Sequence, residues 1–500
     1  MPLPSAEQLR CALESKLSKI WPALRLIAQL AEQEEWSLYI VGGAVRDLLL
    51  GFIPSFVGGP QALTDIDLVV EGAAAGAGVA LARALQRKYP QVSLQTHGQF
   101  QTAALVWPLP EQVATARSPL EIDVATARTE SYPYPAANPN VKASSIDRDL
   151  FRRDFSINAM AICLTRSADG ATVGTLIDLF NGWKDLQHHC IRVLHDESFT
   201  DDPTRIFRAV RFAVRLGFSI ETHTEQLFRR AATSGVYASA LASKDKTPAL
   251  QSRLKTELKY LLQAKGWESA LAEVDRLDAW RCLDADLALT PLLYQQLRRM
   301  HRWLLKMSDR PSQSKIRAGH QPNAKRIDTA LKLTQPRWLI LLELMLLQLS
   351  TQDACQVARN LNLGAASLRR LEKIPQWEAQ LQSQLASAKR PSQTYALLKD
   401  YDLCELLLMS DRHPYTLGPQ IWQYVVRLSK VASPIDGATL KRLGLRPGPQ
   451  FREILTDVRD RALDGELTTP QAAKSYVLKH YSSTDCSSTD CSSTDGAPAD

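Results

Sequence analysis

Two aspartates, Asp65 and Asp67, are separated by a single residue in a segment, DIDLVV, that has the composition of a strand. Side chains two residues apart lie on the same face of a strand, so both carboxylates point the same way. Carboxylates held together repel each other unless a positive charge lies between them, and a divalent, oxygen-seeking ion such as Mg²⁺ supplies that charge. We therefore predict that Asp65 and Asp67 bind Mg²⁺ and are catalytic.

A glycine pair, Gly42 and Gly43, follows the apolar run 38–41, which we predict as a strand, and a short helical pattern continues over 44–50. Glycine allows backbone N–H groups to approach a phosphate closely. Residues 52–63, rich in Gly and Pro, connect the pair to the two aspartates and are predicted to form an exposed loop. Glycines and paired carboxylates in this order are typical of a nucleotidyl-transfer site, in which both glycines bind the nucleotide.

Two further groups of polar residues lie downstream. Asp123, in a short strand-like run, is a third catalytic candidate that would complete a two-metal site; the alternative is a strand-edge carboxylate that faces water. Arg152, Arg153 and Asp154 cluster just before a segment of helical character. A planar guanidinium pairs with phosphate oxygens, so we predict that Arg153 binds a triphosphate, the alternative being a charged surface segment.

A predicted helix within residues 200–218 carries a row of arginines. Asp202 is followed by a proline, which suits the first turn of a helix. The arginines recur at steps of three, three and four, which places them along one face. They are Arg205, Arg208, Arg211 and Arg215. A solvated basic face is the alternative to a nucleotide-binding one.

The start of this helix can distinguish nucleobases. Cytosine and adenine both present an exocyclic amine beside a ring-nitrogen acceptor on the edge used for pairing. The Asp202 carboxylate can accept from the amine while the Arg205 guanidinium donates to the ring nitrogen. Guanine and uracil present a carbonyl in place of the amine, which would leave a buried carboxylate facing an oxygen at a cost of several kcal/mol. We predict one pocket that accepts CTP and ATP and refuses GTP and UTP.

The composition bounds the class of protein. The chain has 500 residues, enough for several domains, and a net charge of +7 with a pI of about 8.9, a mild bias toward polyanionic partners. Its eight cysteines include no C-x-x-C pair, which indicates neither a zinc site nor a disulfide framework and favours a reducing cytosol. No apolar signal region begins the chain, and the longest apolar run, 338–349, is predicted to be a buried helix. We expect a cytoplasmic protein without a membrane partner.

Strand and helix signals organise the chain. Residues 5–35 have a helical pattern that opens with a capping box from Ser5 to Gln8. The following part mixes one helical pattern with strand-like runs at 92–96, 102–107 and 121–125. Residues 131–145, rich in Pro and Asn, are predicted to be an ordered but mobile loop, and nearly everything from 202 to 481 is helical. A polar break at 312–324 and a disordered, repetitive end are also predicted.

Several segments together resemble the class II tRNA nucleotidyltransferases, the group that contains CCA-adding enzymes and bacterial poly(A) polymerases. They are VGGAVRDLLLG, DIDLVVEG, EIDVATART, RRDFSINAMAI, LIDLFNGWKDL and DDPTRIFRAVRFAVRLGF. A late segment, DGATLKRLGLRPGPQFREIL, is similar to the C-terminal region of that family. The resemblance is strong over residues 36–235 and weaker as far as 480.

The resemblance implies an α+β protein in which a nucleotidyltransferase head with a mixed β-sheet precedes an all-α neck, body and tail, arranged like a seahorse. The implied divisions are an N-terminal helix (1–35), the catalytic head (36–185), a base-recognising neck (186–260), a helical body and tail that bind tRNA (261–480) and a disordered end (481–500). The implied activity is Mg²⁺-dependent addition of the terminal CCA, or its final A, to tRNA from CTP and ATP. Pyrophosphate is released and no nucleic-acid template is used.

The resemblance also assigns residues. The implied nucleotide-binding residues are Gly43, Arg46, Arg153, Asp154, Asp202, Arg205, Arg208 and Arg211. Two features depart from the family pattern. Asp201 stands where the family has a glutamate, and the interval between Gly43 and Asp65 is longer than usual, which indicates an insertion near the site.

Three narrower activities remain open, together with one from another class. CC-adding enzymes tend to lack the loop that residues 131–145 form here, so the loop favours a protein that adds the final A, either as a complete CCA-adding enzyme or as an A-adding enzyme. The DDPTR motif is also similar to that of A-adding members. A poly(A) polymerase would use ATP without stopping. A non-catalytic RNA-binding protein on the same scaffold is the fourth possibility, which the intact site residues disfavour. The oligomeric state is not indicated.

Overall fold

The structure, a computed structural model, describes residues 1–500 except 19, 57–62, 64, 73–75, 98–101, 108–119, 133–138, 166–172, 236–247, 309–332 and 482–500. It divides into two compact units. The first is Met1–Leu289 with Arg359–Asn362, and the second is Thr290–Ala358 with Leu363–Asp500. The predicted polar break at 312–324 and the predicted disordered residues 482–500 lie outside the described residues, as does half of the predicted loop 52–63.

Two helices, α1 (Ala6–Lys16) and α2 (Trp21–Gln33), open the first unit where a helical region is predicted. The Ser5 hydroxyl accepts a hydrogen bond from the Gln8 N–H at 3.3 Å, and the Ser5 N–H donates to the Gln8 side-chain oxygen at 2.8 Å. This geometry confirms the predicted capping box, which satisfies backbone N–H groups that lack partners within the helix.

A seven-stranded mixed sheet forms the centre of the first unit, as predicted. In chain order the strands of this region are β1 (Ser37–Val41), β2 (Asp65–Glu71), β3 (Ser93–His97), β4 (Thr102–Trp107), β5 (Leu120–Thr126), β6 (Arg128–Ser131), β7 (Asn140–Ala143), β8 (Ala161–Cys163) and β9 (Leu176–Ile177). β6 and β7 form a separate two-stranded sheet, and the other seven form this one. The order across the sheet is β3-β4-β5-β2-β1-β8-β9. β2 pairs parallel with β5, and the other neighbours in this sheet are antiparallel. The helices between these strands are α3 (Gly43–Leu49), α4 (Ala77–Lys88) and α5 (Ile146–Phe151).

The prediction of a loop over residues 131–145 is wrong at both of its ends. β6 and β7 form an antiparallel hairpin in which Arg128 pairs with Ala143 and Ser131 pairs with Asn140. The turn-forming residues, Pro and Asn, lie mostly between these strands. The residues after 139 run alongside β6, and their backbone groups form hydrogen bonds with that strand. Residues 133–138 lie outside the described residues.

An apolar cluster covers part of one face of the sheet, over β1, β2 and β8. Tyr39 and Val41 of β1 and Val69 of β2 are buried in one cluster with Ile146 and Leu150 of α5. Asp65 and Asp67 share the face of Val69, because alternate residues of a strand point the same way. The apolar cluster therefore holds this face against α5, and the two carboxylates stand beyond it where β2 begins.

The rest of the first unit is mainly helical, as predicted. Its helices are α6 (Gly182–Gln187), α7 (Ser198–Asp201), α8 (Thr204–Leu216), α9 (Thr222–Thr233), α10 (Pro248–Gln263) and α11 (Trp267–Arg276). A short parallel pair joins β10 (Cys190–Ile191) and β11 (Ser219–Ile220). Pro203 precedes α8 and is compatible with a helix start because it lacks the N–H that would have no partner there.

The second unit is built from helices. They are α12 (Pro291–Ser308), α13 (Arg337–Leu346), α14 (Thr351–Asn360), α15 (Ala365–Ser387), α16 (Pro391–Leu398), α17 (Leu403–Arg412), α18 (Gly418–Val426), α19 (Gly437–Arg442), α20 (Gln450–Leu463) and α21 (Pro470–Tyr481). Every residue from Leu339 to Leu346 is buried, which confirms the predicted buried helix. Among the helices in the described ranges, none has the length and apolar character needed to cross a membrane.

Candidate active site

The acidic residues predicted to bind metal lie where β1 ends and β2 begins. Asp67 pairs with Val41, the last residue of β1, so Gly42 follows directly beside this carboxylate. Gly42 has a φ of +70°, and a Cβ atom there would lie 2.9 Å from Arg153 Nη1 and 3.5 Å from Asp67 Oδ2. Any side chain would push the arginine away from the carboxylate, which explains why glycine occupies this turn.

A cavity of about 520 Å³ opens at this point, and it is lined by every predicted site residue except Asp123. These residues are Gly42, Gly43, Arg46, Asp65, Asp67, Arg153, Asp154, Asp202, Arg205, Arg208 and Arg211. The lining includes eight arginines. Guanidinium groups pair with phosphate oxygens in a forked geometry, so a cavity with this much positive charge suits a triphosphate.

Asp123 lies outside this lining. It is in register with Asp67 on the parallel neighbour β5 and is exposed, so the two carboxylates project from the same face of the sheet. Its role as a third catalytic carboxylate stays a prediction.

Asp65 and Asp67 form a donor set that fits Mg²⁺. Both are exposed at the cavity, and Mg²⁺ is often bound by one or two carboxylates together with substrate phosphates and water. Partial loss of hydration around its carboxylate raises the pKa of Asp67. The positive charge of Arg153 opposes this effect, and the negative charge of Asp65 reinforces it. A cation between the carboxylates would relieve that repulsion. Within the described ranges, no three or more His, Cys, Asp or Glu side chains are grouped as metal ligands.

A buried carboxylate, Asp149 of α5, anchors two arginines. Its Oδ1 accepts from Arg152 Nε at 3.0 Å and Nη2 at 2.8 Å, and its Oδ2 accepts from Arg153 Nη2 at 2.9 Å. Burial opposes ionisation, but Arg153 and Arg152 outweigh it and lower the pKa of Asp149. The cluster lies between α5 and a short 3-10 helix, Ser156–Asn158, which agrees with the predicted helical segment after it. Spacings of three and four residues let the Asp149 carboxylate reach both arginines.

Replacement of Asp149 by Asn is expected to lower the free energy of unfolding by about 3–5 kcal/mol, because it leaves Arg153 without its ion-pair partner and Arg152 with Glu130 alone. Urea denaturation measures this change. Asp147→Asn is the matched control, since Asp147 lies on the same helix and is exposed. Equal stability of the two variants would contradict the assigned role of Asp149.

A chain of hydrogen bonds fixes Arg46 at the cavity. Arg46 is 3% exposed, and its Nη1 donates to Asn158 Oδ1 at 2.7 Å. The Asn158 Nδ2 donates to Asp154 Oδ1 at 3.0 Å, and Arg208 donates to Asp154 Oδ2 through Nε at 2.8 Å and Nη2 at 2.6 Å. Burial disfavours the Asp154 charge, but Arg208 and Asn158 lower its pKa to about 2. Asp154 thus connects Arg46, from the first helix after β1, to Arg208 of α8.

The low pKa of Asp154 predicts a pH dependence of stability. Its value of about 2 in the folded protein lies below the reference value of 3.8. The stability contributed by the carboxylate is therefore fully present above pH 3.8 and is lost as the pH falls through 2, by about 2 kcal/mol. Urea denaturation at several pH values should show the difference between the wild type and Asp154→Asn shrinking over this window. A difference that does not vary with pH would rule this out.

The arginine face of α8 lines the cavity and is held in place by partners from α10. Arg208 Nη1 donates to Glu257 Oε1 at 3.2 Å, and Arg211 Nε donates to Glu257 Oε2 at 2.8 Å. The Phe212 ring lies 4.6 Å from Arg211 Cζ and 5.0 Å from Arg46 Cζ. Arg215, at the end of the row, lies 3.6 Å from Asp47 Oδ2. These contacts orient the guanidinium groups before any ligand binds.

The two residues predicted to read the base lie at the start of α8 with part of their hydrogen-bonding capacity already used. Asp202 Oδ1 accepts from the Thr204 N–H at 3.0 Å and hydroxyl at 2.7 Å, and Oδ2 accepts from Arg253 Nη1 at 2.8 Å. Arg205 Nη2 donates to the Arg152 carbonyl at 2.8 Å. Arg205 Nη1 is buried and has no hydrogen-bond partner among the described residues, so one donor remains for a ligand.

Several residues of the cavity were not predicted from the sequence. They are Asp47, Glu130, Tyr132, Asn158, Phe212 and Arg253. Glu130 joins the hairpin to the arginine cluster, because its Oε1 accepts from Arg152 Nη1 at 3.0 Å. The one available sequence signal was the spacing of Arg253 and Glu257, four residues apart on α10, which places both on the face that meets α8.

Comparisons with known proteins agree with this fold. A family model described as the Poly A polymerase head domain matches residues 38–192. The A-adding tRNA nucleotidyltransferase of Geobacter sulfurreducens is 30% identical over 459 residues, 89% of this chain and 45% of that protein. A CCA-adding enzyme in apo form II has a TM-score of 0.69 at 27% identity, covering 93% of this chain and 98% of that one. The Thermotoga maritima CCA-adding enzyme complexed with tRNA-CCA has a TM-score of 0.65 at 27% identity, covering 92% and 95%.

The mixed sheet, with its strand carboxylates beside a cavity rich in arginine, has the fold of a nucleotidyltransferase head. Over residues 38–192 the chain matches the Poly A polymerase head domain, and over nearly its whole length it is similar to solved CCA-adding enzymes. It spans between 21% and 53% of the lengths of three curated A-adding tRNA nucleotidyltransferases that it matches.

Proposed function

We propose that the protein is a tRNA nucleotidyltransferase that adds the 3′-terminal CCA, or its final A, from CTP and ATP and releases pyrophosphate without a nucleic-acid template. The observation that carries this proposal is one cavity in which Asp65 and Asp67 face the arginines of α8. The A-adding relative from Geobacter sulfurreducens and the CCA-adding structure complexed with tRNA support the choice of substrate. The A-adding relative favours addition of the final A.

Mg²⁺ is the proposed cofactor, held by Asp65 and Asp67. Enzymes of this family generally use a divalent metal, and two carboxylates beside a phosphate site are the donors that Mg²⁺ prefers. When bound, Mg²⁺ supplies electrostatic stabilisation of the charge that develops on the reacting oxygens. Asp123, in register with Asp67, is proposed to assist from the neighbouring strand.

The chain's own residues would bind and orient the triphosphate. Arg153, fixed by Asp149 and in contact range of Gly42, directs its guanidinium toward the phosphates. Backbone N–H groups of Gly42 and Gly43 approach the same phosphates, and Arg46, Arg208 and Arg211 neutralise their charge. Because Asp154 already holds Arg208 and Glu257 already holds Arg211, little side-chain entropy of these two arginines remains to be lost when the nucleotide binds.

Asp202 and Arg205 are proposed to select the base. Arg205 Nη1, the buried donor without a partner, is available to the ring nitrogen of cytosine or adenine. Asp202 Oδ2 accepts one hydrogen bond from Arg253, and a carboxylate oxygen can accept a second from the exocyclic amine. A base that presents a carbonyl at that position would face the carboxylate without a donor.

The proposed division of labour follows the family pattern. Residues 36–185 act as the catalytic head, 186–260 as the neck that reads the base, and 261–480 as the body and tail that bind tRNA, flanked by 1–35 and 481–500. We place the reaction in the cytoplasm, where tRNA is the substrate, and propose no membrane partner.

Incorporation of labelled nucleotides tests the proposal. Three transcripts of one tRNA would be offered, ending at the discriminator base, in C, and in CC, each with CTP, ATP and Mg²⁺. Extension of all three to a single CCA end would identify a complete CCA-adding enzyme. Extension of the CC-ended transcript alone, by one A, would identify an A-adding enzyme.

Two other outcomes would contradict the proposal. A long ladder of A residues would identify a poly(A) polymerase. Absence of incorporation into any transcript, by protein that still binds them, would favour a non-catalytic RNA-binding protein.

A further inference from the structure

A second cavity, of about 660 Å³, lies entirely within the second unit. It is lined by Tyr395 of α16, by residues of the segment 429–433, by Gly448 and by residues 451–459 of α20. Its volume falls in the range of about 300–1,000 Å³ that small-molecule and cofactor sites occupy. It shares no residue with the cavity of the first unit, so the proposed reaction does not account for it.

The charge of this second cavity is positive. Arg452 and Arg459 line it, and none of the described residues in its lining is a carboxylate. On α20, Thr456 lies four residues after Arg452 and three residues before Arg459. This spacing places all three side chains on one face of the helix. Two guanidinium groups at one concave surface favour an anionic ligand.

Two polar atoms at the second cavity lack a partner. Arg459 Nε and Ser433 Oγ are buried and make no hydrogen bond to the described residues. Arg459 Nε forms an ion pair with Asp460 Oδ1 at 3.7 Å, a distance too long for a hydrogen bond. Nearly all buried polar side-chain atoms in folded proteins are paired, so two unpaired donors at one cavity indicate a ligand that accepts hydrogen bonds. A phosphate group offers several such oxygens.

The second cavity also offers surfaces for a planar ring. The Arg459 guanidinium stacks over the Tyr395 ring at 4.6 Å, which fixes its orientation. Phe451, Leu455 and Val431 add apolar surface to the same lining. Nucleobases stack on aromatic side chains and on guanidinium planes regardless of their sequence.

We propose that this second cavity binds a nucleotide, with its phosphate at Arg459, Arg452 and Ser433 and its base against Phe451. The nucleotide is either a residue of an RNA strand or a free nucleotide, because both present a phosphate beside a planar base. Where the bound nucleotide belongs to tRNA, this site rests on the proposed function, in which residues 261–480 bind tRNA, and it names a place of contact; where the nucleotide is free, the site is separate from the transfer reaction.

Binding measurements on the full chain test this site without any need for turnover. The variants are Arg459→Gln and Arg452→Gln, each of which removes one positive charge from the cavity. The control is Lys479→Gln, because Lys479 is exposed on α21 and lies outside the cavity lining. Fluorescence anisotropy gives the Kd of a labelled tRNA transcript over a range of salt concentrations, and equilibrium dialysis gives the number of ATP molecules bound per chain. Arg452 is exposed, so its variant keeps the fold if Arg459→Gln does not.

The two sources of the nucleotide give different results. If an RNA residue occupies the cavity, both variants should weaken tRNA binding about tenfold and lower the salt slope by about one, with ATP stoichiometry unchanged. If a free nucleotide occupies it, the number of bound ATP molecules should fall by one per chain while tRNA binding stays constant. The proposal would be overturned if both cavity variants had the same Kd for tRNA and the same ATP stoichiometry as Lys479→Gln. Because incorporation is not the readout, failure of the proposed reaction would leave these results interpretable.

Discussion

Replacement of Asp65 by Asn should lower the rate of nucleotide incorporation by at least about a thousandfold, a loss of about 4 kcal/mol of transition-state stabilisation. Asparagine keeps the size of the side chain but removes the negative charge that would hold a divalent ion where β2 meets the cavity. The measurement is kcat for incorporation of labelled ATP into a CC-ended tRNA transcript at saturating Mg²⁺.

A neighbouring carboxylate provides the control for this prediction. Glu121 pairs with Asp65 in register on β5 and is exposed on the same face, but it does not line the cavity. Glu121→Gln therefore removes a charge nearby and should change kcat by no more than about twofold. Near-normal turnover by Asp65→Asn, with Glu121→Gln unchanged, would remove the basis for the metal site.

Replacement of Asp202 by Asn should change which nucleotide is accepted. A carboxylate only accepts hydrogen bonds, whereas the asparagine amide also donates and so tolerates the carbonyl of uracil. Sites built to hydrogen-bond a substrate group can reject an analogue lacking it by about 10⁴–10⁵. We expect the ratio of kcat/KM for CTP over UTP to fall by about a hundredfold or more, as measured by single-nucleotide incorporation into a transcript ending in C.

Asp201→Asn is the matched control for the change in base selection. Asp201 is the adjacent acid and is partly exposed, and it does not line the cavity. Because Asp202 also accepts from Thr204 and Arg253, the unfolding temperature of both variants should be compared. A CTP-to-UTP ratio that is the same in Asp202→Asn as in the wild type would show that this carboxylate does not read the base.

The sequence predicted the parts of the site that depend on local periodicity. Alternation along a strand placed Asp65 and Asp67 on one face of β2. The helical repeat placed Arg205 and Arg208 on one face of α8, and all four residues line the cavity. The capping box at Ser5 was equally predictable, because its two hydrogen bonds join residues three apart. These are short-range consequences of backbone geometry.

The partners that hold these residues depend on contacts between distant segments, which periodicity does not encode. Asp154 accepts from Arg208, and Asp202 accepts from Arg253, across 54 and 51 residues. Asp149, the anchor of the arginine cluster, looked like one charge among many, and only its burial distinguishes it. The hairpin of β6 and β7 was missed because strand pairing overrode composition at its ends.

Pyrophosphate release tests the central claim most directly. Wild-type protein would be supplied with a CC-ended tRNA transcript, Mg²⁺ and each of the four nucleoside triphosphates in turn. We expect one pyrophosphate for each transcript molecule with ATP, and background release with GTP and UTP. Release that does not exceed background with ATP, or that is equal for all four nucleotides, would contradict a base-selective nucleotidyl-transfer site.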